Sequence, residues 1–160
     1  REPHQPPLVR IHSECFTGEV LQSLKCDCAF QVRYALEEIA RRGRGVLIYL
    51  RQEGRGIGLG NKIAAYQLQN NGLDTIEANH ALGFAEDLRN FDLAAKILRH
   101  LDITDVHLNT NNTAKSAALE NAGINVSALI PSLSPLNSVN YRYLETKYRK
   151  MGHLLGPLFS

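Results

Sequence analysis

Short apolar runs alternate with amphipathic stretches along most of this chain, and that alternation restricts the fold it can adopt. The run 46–50 is continuous and apolar, which is typical of a strand buried on both faces. Residues 30–42 instead carry apolar side chains at helical spacing and end in two arginines. The same patterns predict strands at 9–12, 46–50, 106–109 and 124–130, and helices at 30–42, 61–70, 92–101, 113–121 and 140–151. We therefore expect an α/β fold, with a mixed sheet and helices packed on both faces, in a single domain.

Size, charge and hydropathy exclude several classes of protein. A chain of 160 residues fits one domain, which we place at 9–155, after an N-terminal loop or truncated edge at 1–8 and before a tail at 156–160. A formal net charge of +2 gives no reason to expect nucleic acid or an anionic membrane as a partner. No apolar run approaches the length of a membrane span. Because residues 1–8 do not resemble a signal peptide, we expect a cytoplasmic protein.

All three cysteines fall close together, as Cys15, Cys26 and Cys28. An odd, clustered set cannot form a disulfide framework, and free thiols fit a reducing compartment. Three thiolates leave one corner of a tetrahedral zinc ion open for water, which is the layout of a hydrolytic site. The alternative is three unrelated buried cysteines, and the spacing alone leaves both interpretations open.

The segment 51–62 places four glycines at alternate positions between a predicted strand and a predicted helix. Glycine lets backbone amides approach an anion, and the N-terminus of the following helix favours negative charge. Arg51, Arg55 and Lys62 add positive charge, and arginine can hold phosphate with two parallel hydrogen bonds. Because the segment matches no standard nucleotide fingerprint, it is a candidate phosphate loop, and a flexible connector with solvated arginines is the alternative.

Two further loops carry groups that could act on a ligand. Asp87 and Arg89 are two residues apart, and a carboxylate there could accept a proton from a metal-bound water. A surface ion pair is the alternative for these two residues. Thr110 and Lys115 lie in a strand-to-helix turn, where open α/β sheets gather their ligands, although the same turn could serve only to cap the helix.

Seven short segments are more specific together than any of them is alone. In chain order they are Arg10-Ile-His-Ser-Glu-Cys15-Phe-Thr-Gly, Lys25-Cys-Asp-Cys28, Tyr49-Leu-Arg-Gln-Glu-Gly-Arg-Gly-Ile-Gly58, Asp74-Thr-Ile-Glu-Ala-Asn79, Leu82-Gly-Phe-Ala, Thr110-Asn-Asn112 and Met151-Gly-His-Leu-Leu155. Over roughly residues 9–155, this pattern resembles GTP cyclohydrolase II, the enzyme that opens GTP at the head of riboflavin synthesis.

The resemblance implies a metal centre and three catalytic residues. Zinc would be held by Cys15, Cys26 and Cys28, and magnesium would accompany the triphosphate. Asp87 matches the family's proton acceptor, Arg89 its proposed nucleophile and Tyr66 its active-site tyrosine. Because a guanidinium does not lose its proton near neutral pH, Arg89 could equally stabilise charge on the α-phosphate.

The resemblance also implies the substrate, GTP, and a homodimer. The residues that would bind GTP are Arg10, Ile11, His12, Ser13, Glu14, Gln31, Glu53, Gly54, Arg55, Thr75, Thr110 and Lys115. The implied reaction opens the imidazole ring at C8 and releases formate and pyrophosphate, giving 2,5-diamino-6-(5-phosphoribosylamino)pyrimidin-4(3H)-one. The alternative is a homologue that retains the formyl group or only binds a guanine nucleotide, because residues 113–115 carry one lysine fewer than the family usually has.

Overall fold

A four-stranded sheet lies at the centre of the fold. The computed structural model describes residues 5–160, so residues 1–4 of the expected N-terminal loop lie outside the described residues. The strands are β1 (Leu8–Ser13), β2 (Gly45–Leu50), β3 (Asp105–Asn109) and β4 (Asn125–Ile130), and their order in the sheet is β2-β1-β3-β4. All three strand pairs are parallel, where we expected a mixed sheet. The reason is that every connection between consecutive strands contains a helix, which returns the chain to the same end of the sheet.

Seven α-helices accompany the sheet in the described residues, and the α/β class is confirmed. They are α1 (Phe16–Glu19), α2 (Cys28–Arg42), α3 (Gly58–Asn70), α4 (Thr75–Ala81), α5 (Asp92–His100), α6 (Thr113–Asn121) and α7 (Tyr141–Met151). Short 3-10 turns cover Glu53–Gly56 and Gly156–Leu158. Helices α2 and α7 end at Gly43 and Gly152, whose φ angles of 70° and 63° are left-handed and stop a helix at low cost. No helix among residues 5–160 combines the length and the apolar character needed to cross a bilayer.

Sequence periodicity missed the two shortest helices, α1 and α4. Helix α4 nevertheless carries a start signal, a capping box. The Asp74 carboxylate accepts from the backbone N–H of Ile76 and Glu77, and the Glu77 carboxylate accepts from the N–H of Asp74 in return. At seven and four residues, α4 and α1 are too short for a 3.6-residue repeat to stand out.

Strand β1 is buried on both faces, and its two faces have opposite characters. Val9 and Ile11 belong to the apolar core, where they pack with side chains of α5 and α6. Arg10 and His12 alternate with them and therefore point to the other side of the sheet. There, Arg10 donates to Gln31 of α2, and His12 contacts Glu19 of α1 at 2.8 Å. Strand β1 thus brings two buried polar groups to the end of the sheet from which α1 and α2 begin.

Candidate active site

A cleft opens at the carboxyl ends of β1, β2 and β3, where open parallel sheets place their ligands. Each strand contributes the loop that follows it, and helices α2, α3 and α7 contribute further side chains. Most of the residues singled out by the sequence meet here. Those that line the cleft are Arg10, His12, Ser13, Glu14, Cys15, Cys26, Cys28, Gln31, Glu53, Gly54, Arg55, Tyr66, Thr75, Arg89, Thr110 and Lys115.

The three thiols form one cluster in the wall of this cleft. Cys15 follows β1, while Cys26 and Cys28 lie at the start of α2, and all three Sγ atoms lie within 4.8 Å of one another. The Sγ atoms of Cys15 and Cys26 are 3.7 Å apart. Tetrahedral zinc with Zn–S bonds of about 2.3 Å places two sulfur ligands about 3.8 Å apart, so the cluster fits this ion. The interpretation as three unrelated core cysteines is therefore wrong.

A half-buried cation beside the cluster favours the ionised form of Cys15. Lys62 donates to Cys15 Sγ at 3.1 Å and to Glu53 Oε1 at 2.8 Å. Hydrogen bonds with the other two thiols, together with Lys62, hold the pKa of the Cys15 thiol far below its ordinary value against the effect of burial. Three thiolates around a divalent ion carry a net negative charge, which Lys62 offsets.

Helix α1 fits tightly behind the thiols. A Cβ on Gly18 would lie 2.8 Å from Cys26 Sγ and 3.2 Å from Cys15 Sγ, so only glycine fits at this position. The adjacent Thr17 is buried, and its Oγ1 lies 3.7 Å from Cys15 Sγ and 3.2 Å from the Tyr66 hydroxyl. One threonine hydroxyl thus connects the phenol of Tyr66 to the thiol cluster. Burial raises the pKa of Tyr66, so its proton is retained at neutral pH.

The glycine-rich loop aims one arginine into the cleft. Gly54 and Arg55 both have left-handed backbones, with φ of 62° and 60°, which is unusual for arginine. Both terminal nitrogens of the Arg55 guanidinium are buried and have no hydrogen-bond partner among residues 5–160. A buried cation without a partner is costly, so this arrangement indicates an anionic ligand. Arg51, which we expected to add to the same charge, is 84% exposed and lies 3.7 Å from Glu14.

Arg55 belongs to a larger group of cations at the same end of the sheet. We call this group the cationic cluster, and its members are Arg10, Arg55, Arg89, Lys115 and Lys147. Burial, together with Arg10 and Arg89, holds the pKa of Lys115 well below its ordinary value. Burial also lowers the pKa of Arg10 to about 10. So many cations in a low-dielectric cleft create a strongly positive potential that favours a polyanion.

Asp87 and Arg89 form a pair at the edge of this cluster. The Asp87 carboxylate accepts from Nε of Arg89 at 2.8 Å and also from Nη2 of the same guanidinium. Burial raises the pKa of Asp87, but the hydrogen bonds and charge of Arg89 lower it by more, so both groups are charged. The Arg89 side chain is 13% exposed, which excludes a solvated surface pair.

The sequence relates the chain to known proteins. A sequence model of the family described as GTP cyclohydrolase II matches residues 1–131, more than four-fifths of the chain. The chain belongs to the GTP cyclohydrolase II family. It is 57% identical over 153 residues to GTP cyclohydrolase-2 of Azotobacter vinelandii, covering 96% of this chain and 74% of that protein. It is 55% identical to GTP cyclohydrolase-2 of Escherichia coli, covering 95% of this chain and 78% of that one.

A longer relative contains the same region. The chain is 54% identical over 151 residues to the riboflavin biosynthesis protein RibBA of Bacillus subtilis. The matched residues make up 94% of this chain and 38% of that protein. The GTP cyclohydrolase II region therefore makes up about three quarters of one relative and less than half of another.

Two residues implied by the family pattern do not line the cleft. The Ile11 side chain lies in the apolar core, because strand alternation turns it away from Arg10 and His12, and only its carbonyl faces the site, accepting from Lys115 Nζ at 2.7 Å. Asp87 lies behind Arg89 and contacts it directly. Both residues therefore reach a ligand only through a neighbouring cation.

Three of the cleft residues that were not selected from the sequence as parts of the site come from one region of the chain. They are Tyr143, Lys147 and His153, and all three belong to α7 or to the turn that follows it. Burial of the His153 imidazole lowers its pKa to about 2, and repulsion from four members of the cationic cluster adds to the effect. The family resemblance could have pointed to His153, because this residue lies in its last segment, Met151–Leu155. Nothing in the spacing of single tyrosines, lysines and histidines marks them as site residues.

Proposed function

We propose that this chain is a GTP cyclohydrolase II that opens the imidazole ring of GTP at C8 and releases formate and pyrophosphate. The product is 2,5-diamino-6-(5-phosphoribosylamino)pyrimidin-4(3H)-one, and the reaction is the first step of riboflavin biosynthesis. The observation that carries the proposal is one cleft with a cluster of three thiols in one wall and five buried or half-buried cations in another. The first suits a catalytic metal and the second suits a triphosphate.

The proposed metal is zinc, held by Cys15, Cys26 and Cys28, with magnesium accompanying the triphosphate. Zinc in a three-thiolate site with an open position supplies Lewis acidity and a water-derived nucleophile at neutral pH. The residues around the thiols prepare the site for such an ion. Lys62 offsets the excess negative charge at 3.1 Å from Cys15 Sγ, and Gly18 leaves the sulfurs the room they need.

Tyr66 is the proposed acid–base residue near the thiols. Its hydroxyl is fixed by Thr17 at 3.2 Å, and its raised pKa keeps it protonated, so it can donate to a nitrogen or oxygen of an opened ring. Because its side chain also lines the cleft, Tyr66 can contact the substrate directly. Substitution by phenylalanine should therefore slow the chemical step more than it weakens GTP binding.

The triphosphate is assigned to the cationic cluster. Arg55 has two unpartnered nitrogens to offer a phosphate, and Arg10 and Lys115 lie buried beside the ends of β1 and β3. Asp87 orients the Arg89 guanidinium and keeps it charged, so Arg89 can stabilise negative charge on the α-phosphate while pyrophosphate leaves. In this account Asp87 acts on the reaction through Arg89, and not by accepting a proton from the substrate directly as the family resemblance implies.

We also propose a cytoplasmic homodimer. Three apolar side chains in the segment after α1 stand out on the surface, because Val20, Leu21 and Leu24 are each more than 60% exposed. An exposed apolar patch of this kind fits a protein interface. Light scattering of the purified chain should give twice the mass of one chain, and a monomer at micromolar concentration would contradict the dimer.

The activity is tested by incubating the chain with GTP, zinc and magnesium. Formate and pyrophosphate should appear in equal amounts, with a product mass that lacks the formyl carbon. Cys28→Ser is the matched control, because it removes one metal ligand and should abolish turnover while the fold survives. A product that keeps the formyl group, or GTP that binds without turnover, contradicts the proposal.

A further inference from the structure

A buried carboxylate lies between two of the proposed metal ligands. Asp27 separates Cys26 from Cys28, and its side chain is 0% exposed. It accepts from Lys147 Nζ at 2.9 Å and also from Nε2 of Gln31, one turn further along α2. Because Asp27 is flanked on both sides by cysteines, anchoring its carboxylate restrains the backbone that carries their sulfurs.

The same network reaches the cationic cluster. Gln31 donates to Asp27 with its amide nitrogen and accepts from Arg10 Nη2 with its amide oxygen. The other terminal nitrogen of Arg10 donates to the carbonyl of Asn109, at the end of β3, at 3.1 Å. An unbroken series of hydrogen bonds therefore runs from Lys147 through Asp27 and Gln31 to Arg10.

The first member of this series comes from a distant part of the chain. Lys147 lies on α7, 120 residues after Asp27 and beyond the region matched by the family model. Its side chain is 10% exposed, and its Nζ lies 4.3 Å from the centroid of the Tyr143 ring. Such a buried ammonium is stabilised only by its partners, and Asp27 is the one anion that contacts it among the described residues.

We propose that Lys147 is a positioning residue, which fixes the Cys26–Cys28 segment through Asp27 and the Arg10 guanidinium through Gln31. Helix α7 then holds the thiol cluster and the cationic cluster in one arrangement. This inference rests on the proposed metal centre. Without Lys147, the Asp27 carboxylate is a buried charge lacking its counterion, so it must turn toward water. The segment that carries Cys26 and Cys28 then loses its anchor on α7.

The test compares two lysines on the same helix. Lys147→Met removes the buried pair with Asp27, and Lys150→Met is the matched control, because Lys150 pairs with Asp74 at the surface, also between α7 and another part of the fold. Zinc affinity is measured by chelator competition at a temperature where circular dichroism shows each variant to be folded. Residues that hold metal ligands by hydrogen bonds typically contribute about 10- to 100-fold to metal affinity. We expect a loss of that size for Lys147→Met and a change of less than about twofold for Lys150→Met.

Two further variants separate positioning from general packing. Asp27→Asn keeps the side-chain volume and removes the charge, so it should weaken zinc binding even if Lys147→Met does not fold. The double variant Asp27→Asn/Lys147→Met removes both charges and should recover part of the affinity lost in Lys147→Met. No recovery in the double variant assigns the loss to packing and overturns the inference.

The outcomes distinguish this inference from the proposed function. If the wild-type chain binds one zinc and Lys147→Met or Asp27→Asn binds it equally well, positioning by Lys147 is wrong and the metal centre stands. Equal losses in Lys147→Met and Lys150→Met would place the effect in the docking of α7, which also overturns the inference. A wild-type chain that binds no zinc overturns both proposals.

Discussion

Gly18→Ala is the smallest change that should disturb the proposed metal centre. The added methyl carbon would lie 2.8 Å from Cys26 Sγ, 3.2 Å from Cys15 Sγ and 3.3 Å from Cys28 Cβ. A carbon atom normally lies at least about 3.5 Å from a non-bonded heavy atom, so the Cys26 sulfur must move by about 0.7 Å. Metal sites tolerate deviations of about 0.2 Å in ligand distance. The displacement is therefore several times what the site can absorb.

Two quantities should change together in this variant. Overpacking of this kind costs about 1–3 kcal/mol of stability, and misplacing a ligand should weaken zinc binding by at least about tenfold. Zinc affinity is measured by chelator competition, and stability by thermal unfolding with and without zinc. Gly60→Ala is the control, because a Cβ at this helical glycine meets nothing within 4 Å. That substitution should stabilise the fold by about 0.5–1 kcal/mol and leave zinc affinity unchanged.

The reasoning would be refuted by a Gly18→Ala variant with the zinc affinity and melting temperature of the wild type. A lower melting temperature with unchanged zinc affinity would also contradict it, because α1 would then yield in place of the thiols. Both results would mean that the contact between α1 and the sulfurs does not fix the ligand geometry.

Three other substitutions probe the rest of the cleft. Thr17→Val removes the hydroxyl that holds Tyr66 and should lower kcat about fivefold with little change in KM, as measured by steady-state kinetics with GTP. Arg55→Met removes two buried guanidinium nitrogens that have no hydrogen-bond partner in the described part of the chain. It should weaken GTP binding about 10- to 150-fold in calorimetry while thermal unfolding of the free protein is unchanged or occurs at a higher temperature. His153→Gln should reduce the fall in the free energy of unfolding that occurs as the pH drops from 7 to 5. The native pKa of His153 is about 2, so as pH falls below about 6.5 the unfolded chain takes up a proton that the native state refuses. His153 thus contributes stability that is present above pH 6.5 and lost below it, about 2 kcal/mol between pH 7 and pH 5 in urea unfolding.

Each of these predictions has a result that would contradict it. Thr17→Ser keeps the hydroxyl and should retain most of the wild-type kcat, so equal losses in the serine and valine variants would argue against the hydrogen bond to Tyr66. An Arg55→Met variant that is less stable without GTP would show that the guanidinium already has an adequate partner. Equal pH slopes for the wild type and His153→Gln would mean that His153 titrates normally in the native state.

The strands and the longer helices were predictable because their patterns are local. Strand β2 is a continuous apolar run, and α6 begins and ends where its sequence predicts, at Thr113 and Asn121. The parallel register of all three pairs was not predictable in the same way, because a mixed sheet could use the same strands. The Ile11 assignment could have been improved from sequence, since alternation along β1 places its side chain opposite those of Arg10 and His12.

The candidate site was predictable where its residues lie close together in sequence or share a family pattern. The thiol cluster and the glycine-rich loop are examples. The contact between Lys147 and Asp27 was not, because it joins residues 120 positions apart and depends on how α7 docks. The position of the Arg55 guanidinium could not be predicted either. It depends on two consecutive residues with left-handed backbones, which the glycine spacing allows but does not specify.

Elemental analysis of the purified chain tests the central claim most directly. The account predicts one zinc per chain, retained through gel filtration and absent from Cys28→Ser. It also predicts that the three thiols react with a thiol reagent only after a chelator has removed the metal. A chain that carries no zinc, and takes none up when zinc is supplied under reducing conditions, would contradict the account.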